Sequence, residues 1–100
     1  MKDNQVAKYQ ISDTFKITGR GIVFAGFILD GTISIGNDIE FLVFDKIFKR
    51  KITGIEGITK SQPTKVNTGL LIQCTDEKEI DDLRNWNPEN TTAIIYQYND

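Results

Sequence analysis

The stretch Asp13-Thr-Phe-Lys-Ile-Thr-Gly-Arg-Gly21 decides the fold, together with the glycines at 26, 31 and 36 and the segment Lys51-Ile-Thr-Gly-Ile-Glu56. Phe15 and Ile17 alternate with Thr14, Lys16 and Thr18, and Gly19-Arg-Gly21 then interrupts. A period of two closed by glycines is the pattern of a strand entering a tight turn. The spacing predicts a strand from Tyr9 into this turn and a second from Arg20 to Leu29, with Gly26 a bulge or a point of close approach. Asp30-Gly31 reads as a hairpin turn. Thr32 to Ile35 reads as a short strand ended by Gly36-Asn37, and Asp38 to Phe44 as a longer one. Asp45-Lys46 begins a turn, Phe48 to Ile58 is broken at Gly54 and Gly57, Ser61 to Thr64 is a loop, and Thr68 to Cys74 is a further strand.

One segment has a helical pattern. Between Asp76 and Trp86, Ile80 and Leu83 share a face, and Asp76 is placed to cap with Glu79 three residues on. Asn87 to Asn90 ends it, and Thr91 to Tyr98 is the last strand. Residues 1–8 are mostly polar and read as a loose lead. Many short strands and one brief helix imply a closed barrel or a sandwich, and closure is preferred because it leaves no strand edge exposed in so small a protein.

Composition narrows the chemistry. The chain has 100 residues, enough for one core, with no histidine and one cysteine, Cys74. Absent histidine removes His-based acid–base catalysis and Ser-His or Cys-His pairs, and a zinc site has almost no ligands to draw on. The expectation is a protein that is not an enzyme and holds no metal. A single cysteine, a polar start and no apolar run near ~20 residues predict a cytoplasmic protein with no membrane partner. Residues 1–75 carry ten basic against seven acidic groups, +3, and residues 76–100 carry −5, for a net −2. A surplus of +3 is well short of a dedicated nucleic-acid footprint. Gly21-Ile-Val-Phe-Ala-Gly26 has the glycine spacing of a phosphate loop, but Phe27-Ile28 replaces its Lys-Ser/Thr pair. Gly19-Arg-Gly21 has no third glycine at 24 and no helix after it, so a dinucleotide fingerprint fails as well. No nucleotide or other cofactor is expected.

The Asp13-x-Phe15-x-Ile17-Thr-Gly-Arg-Gly21 run, the ordered glycines 26, 31 and 36, Thr53-Gly-Ile-Glu56 and Gly69-Leu-Leu71 resemble the second, β-barrel domain of elongation factor Tu and related translational GTPases. The resemblance covers roughly residues 12–75 and fades beyond Cys74. It implies a six-stranded closed barrel; the expectation for the chain is an all-β barrel over 9–75, to which the reading of residues 76–100 adds a short helix and a further strand on the same domain. No GTPase elements accompany it. In that family the stretch leading into the Gly-Arg-Gly turn sits near the terminal adenosine of tRNA with an acidic pair and a phenylalanine. Asp13 and Phe15 match two of those positions, and Ser12 stands where glutamate is usual.

Two candidate surfaces follow. Ile22 to Leu29 is apolar at both alternating sets of positions, so Phe24, Phe27 and Leu29 are candidates for an exposed patch that docks another protein or a second copy. The C-terminal strand or the helix with Trp86 covering that face is the competing reading. The alternative surface is for RNA, tRNA or the ribosome: Asp13 and Phe15 with Arg20, a guanidinium between small neighbours, and the basic run Lys49-Arg50-Lys51. Strand alternation argues that these last three do not share a face, and an edge strand guarded by lysines accounts for them equally. Asp81-Asp82 beside Glu77 and Glu79 reads as a solvated acidic helix face. The functional expectation is a non-catalytic binding module engaging protein, with a translation-associated RNA-binding module or a mimic of the elongation factor domain as alternatives.

Overall fold

A computed structural model describes residues 4–17, 19, 21–57, 68–88 and 91–97. Six strands form a closed barrel: β1 (Gln5–Ile17), β2 (Gly21–Gly31), β3 (Asp38–Val43), β4 (Lys46–Gly57), β5 (Thr68–Ile72) and β6 (Thr91–Tyr96), with one helix, α1 (Glu77–Asn85), between the last two. The order around the barrel is β1-β2-β5-β4-β3-β6, β6 closing onto β1, and every neighbouring pair is antiparallel.

The all-β barrel expected from the sequence is therefore present, but its sixth strand is not the expected one. Thr32 to Ile35 forms no strand, and Asp30-Gly31 is not a hairpin turn, because β2 and β3 are not neighbours. The chain instead crosses the barrel end with Ile33 buried in the core, while the Asn37 side chain accepts from the Ser34 N–H at 2.8 Å. The strand predicted as an addition, now β6, is the stave that joins β1 to β3. The lead also shortens, since β1 begins at Gln5 and residues 1–3 lie outside the described ones. Phe44 belongs to a turn rather than to the end of β3.

Alternation along the strands fills the interior. Tyr9 and Ile11 of β1, Ile22 and Phe24 of β2, Ile39 and Phe41 of β3, Ile52 of β4, Leu70 and Ile72 of β5 and Ala93 and Ile95 of β6 are all buried in one core. Tyr9 brings a hydroxyl into it, and that hydroxyl donates to the Thr68 carbonyl at 2.6 Å with the Phe24 carbonyl at 3.0 Å. The buried phenol is thus satisfied, and burial pushes its pKa well above the ordinary value. Two bulges let β1 wrap: Ser12 is extra on β1 and Leu29 on β2. Beside the first, Gly26 lies opposite Ile11. A Cβ there would run into the Gln10 carbonyl oxygen, so the close approach read from the sequence is real. Among the described residues no helix is long and apolar enough to cross a membrane.

Replacing Gly26 by Ala forces β1 and β2 apart. The expected cost is about 1–3 kcal/mol, the usual range for overpacking, read as a lowered urea midpoint at unchanged slope.

Candidate functional site

The pairing ladders of the barrel are unequal in length. β3 and β4 pair from Asp38↔Lys51 through Val43↔Lys46. On its other side β3 meets β6 only at Asp38, Ile39 and Glu40. On its other side β4 meets β5 from Ile52 onward, with one further bond from the Gln73 N–H to the Lys51 carbonyl. Phe41–Val43 and Lys46–Arg50 therefore form a two-stranded arm that outruns the staves on either side. The bond from the Ile52 N–H to the Asn37 carbonyl fixes which residues face across the hairpin. By strand alternation Phe41, Val43, Lys46 and Phe48 point their backbone groups at each other, and Leu42 and Ile47 point theirs at the open edges.

The side chains of Leu42 and Ile47 oppose each other on the outer face of this arm, 50% and 70% exposed. Phe44 at the tip is 75% exposed. The turn is unusual in composition. Phe44 and Asp45 both have positive φ, 48° and 66°, as a two-residue hairpin turn of the primed type demands. Asn-Gly satisfies that demand without strain, whereas a bulky residue there costs roughly 1–2 kcal/mol. The chain keeps an exposed aromatic in the hairpin turn in spite of that cost.

The inner face of the arm is anchored. Phe48 stacks on Phe41 with centroids 5.6 Å apart, and Phe41 in turn stacks on Trp86 at 6.0 Å and meets Phe24 edge-on at 4.9 Å. Trp86 thus enters the core, where it also meets Phe24, rather than covering an outer face. It is carried there by α1, which forms as the sequence predicts. The Asp76 carboxylate accepts from the Glu79 N–H at 2.9 Å, and Glu77 and Glu79 lie in the first turn, where acids are favoured. β1 grips the helix through Thr14, whose hydroxyl donates to the Leu83 carbonyl at 3.1 Å, and Lys16, which meets Asp81 at 3.0 Å and Glu77 at 3.4 Å.

The arm and the helix are joined by one bidentate pair. Arg50 Nε and Nη2 donate to Glu79 Oε1 and Oε2 at 2.7 and 2.6 Å, and the guanidinium lies over the Phe48 ring. The Arg50 hydrogen bonds, together with those from Thr75, hold the Glu79 carboxyl at a pKa of about 2. Cys74, beside this pair, is half-buried, and burial raises its thiol to about 11, so it is a protonated side chain at neutral pH. Between the arm and the start of α1 lies a cleft of about 450 Å³ with Val43, Phe44, Phe48 and Leu83 as its apolar lining.

The residues singled out from the sequence are scattered. Phe24 is fully buried and cannot belong to a surface patch, because its strand turns that position inward beside Ile22. Phe27 is half-buried and Leu29, the bulge residue, is 46% exposed. Asp13 and Phe15 are exposed on the outer face of β1, Phe15 by 49%. Arg20 lies outside the described residues. The basic run divides as alternation requires. Lys49 and Lys51 pair opposite Glu40 and Asp38 on the outer face, with Lys49 Nζ 4.7 Å from the centre of the Tyr96 ring, whereas Arg50 turns the other way to Glu79. Since β4 is three strands from β1 in either direction around the ring, Lys49 and Lys51 occupy the wall opposite Asp13 and Phe15. Among the described residues, the structure does not bring Lys49 and Lys51 onto one face with Asp13 and Phe15.

Leu42, Phe44 and Ile47 were not singled out from the sequence. Their signal is the same one that drew attention to Ile22–Leu29: Phe41 to Phe44 is apolar at both alternating sets of positions. The chain matches no protein-family model.

Two outcomes test the site. Glu79 titrates lower in the folded chain than the ordinary 4.5, so its contribution to stability is complete above that value and is lost as pH falls toward 2. Glu79→Gln is expected to lower stability by about 1.5–3 kcal/mol at pH 7, the range for charge-assisted hydrogen bonds, and the gap from wild type should close near pH 2. Urea unfolding at both pH values measures it, and an equal gap at both would contradict the assignment. Phe44→Asn, by contrast, should raise stability by about 1 kcal/mol because it relieves the left-handed strain.

Proposed function

We propose that this barrel is a non-catalytic binding module that engages another protein through the β3–β4 arm. The observation that carries the reading is the outer face of the arm, where Leu42 and Ile47 stand opposed and largely exposed beside Phe44 at the tip. An apolar pair on the outer face of this ribbon has no role in the barrel core, and contiguous exposed apolar groups mark interaction surfaces. The strained turn supports the same reading, since backbone strain held at an exposed aromatic is a feature of functional positions. The non-catalytic character rests on the lack of histidine and on a single cysteine whose thiol is kept protonated.

A second reading retains one specific observation. Asp13 and Phe15 lie exposed on the same stretch of β1, the two positions that the resemblance to the elongation factor barrel associates with tRNA. An exposed aromatic beside a polar edge suits stacking on an unpaired base.

Native recovery of the tagged chain, with and without ribonuclease, separates the two. Wild type is expected to retain a protein partner after ribonuclease, and Leu42→Glu/Ile47→Glu is expected to lose it with its circular dichroism unchanged, both positions being exposed. A partner retained equally by that variant overturns the arm as the binding surface. Recovery only of RNA, abolished by ribonuclease and by Phe15→Ala, would establish the second reading instead.

A further inference from the structure

The cleft between the arm and α1 is distinct from the outer face, and its charges are unequally engaged. Three carboxylates line it, and each already has a task. Asp76 caps the helix, Glu79 holds Arg50, and Asp82 pairs with Lys78 at 3.0 Å. Lys46 is the remaining charged residue of the lining, and among the described residues it has no hydrogen-bond or ion-pair partner. It lies opposite Val43 on the inner face, at the mouth of an apolar recess made by Val43, Phe48 and Leu83 with Phe44 as its lip.

We propose that this cleft receives an apolar side chain of a partner segment together with a neighbouring carboxylate, the side chain entering against Phe48 and Leu83 and the carboxylate meeting the Lys46 ammonium. The inference rests on the binding-module reading and adds to it the chemistry of the bound segment. A volume of about 450 Å³ is ample for a leucine or an aromatic ring with its backbone. The charge requirement follows from the pairing. A cationic segment would have to share carboxylates that are already hydrogen-bonded, whereas an anionic one meets an ammonium that has no partner among the described residues. The position of Phe44 fits the same use: it lines the cleft while remaining 75% exposed, so that its ring can cover a bound side chain.

The test uses the uniformly ¹⁵N-labelled full chain and three probes of matched shape and different charge: indole-3-propionate, indole-3-propionamide and tryptamine. Amide shifts are followed to saturation. The expected order of affinity is carboxylate, then amide, then amine, with shifts centred on Val43, Phe44, Phe48 and Leu83. In Lys46→Glu, an exposed strand-end position, the order is expected to reverse, the carboxylate-to-amine ratio changing by about tenfold or more, since an attraction becomes a repulsion for the carboxylate and a repulsion becomes an attraction for the amine. An order unchanged by Lys46→Glu overturns the proposal, as does binding whose shifts fall only at Leu42 and Ile47, or no saturable shift with any probe. Cleft resonances that move with protein concentration alone would assign the recess to a second copy and would also overturn it. These results are independent of partner recovery: if the partner is still lost on Leu42→Glu/Ile47→Glu, the binding-module reading stands while the cleft assignment fails.

Discussion

The rest of the structure depends on a mismatch in backbone pairing: β6 closes the ring against the first half of β3 and stops at Glu40, while β3 and β4 continue together to their turn. Closure removes the exposed edges that would make so small an all-β chain prone to self-association. The short contact leaves a gap in the wall above the start of β6, between the far end of β1 and the arm. A two-stranded ribbon alone is marginal in water, so the arm needs support from within. The helix provides it. Leu83 and Trp86 enter the gap, Thr14 and Lys16 hold the helix from the β1 side, and Arg50 holds it from the arm.

This arrangement explains why the inner and outer faces of the arm differ so sharply. On the inside, Phe41, Phe48 and Trp86 stack, the Arg50–Glu79 pair lies against Phe48, and Lys46 at the mouth of the cleft is the charge left without a partner among the described residues. On the outside, the same ribbon carries a polar half, with Glu40, Lys49, Asp38 and Lys51 opposed across the strands, and an apolar half at Leu42 and Ile47. The polar half lies where the barrel wall continues into β6, and the apolar half lies where it does not. The ribbon's own exposed apolar groups thus lie where it pairs with no third strand, next to a turn that is built against its own backbone preference. Rigid support behind a free face is the arrangement a binding surface requires.

Much of this was legible in the residues. The period-two runs of β1 and β2, the glycine-marked approach at Gly26, the cap at Asp76 and the division of Lys49-Arg50-Lys51 between two faces all follow from local geometry. What misled was the alternation in Thr32 to Ile35, which has the pattern of a strand but serves to drop Ile33 into the barrel end, an outcome set by which strands are neighbours rather than by local preference. The apolar run Ile22–Leu29 pointed to a surface for a similar reason: Phe24 faces inward once the strand is placed, and burial is a property of the ring, not of the run. The exposed pair on the arm was hidden because Leu42 and Ile47 become neighbours only when the turn falls at Phe44-Asp45, one residue before the turn that Asp45-Lys46 suggests, and Phe44 is not a turn former by composition.

Amide hydrogen exchange on the free chain and on its complex with the recovered partner tests the central claim most directly. In the free chain the account predicts fast exchange at Leu42 and Ile47, whose N–H groups face open edges, and slow exchange at Phe41 and Phe48, which face each other. In the complex, protection should appear at Leu42, Phe44 and Ile47. Slow exchange at Leu42 and Ile47 without a partner, or new protection confined to the β1 face around Asp13 and Phe15, would contradict it.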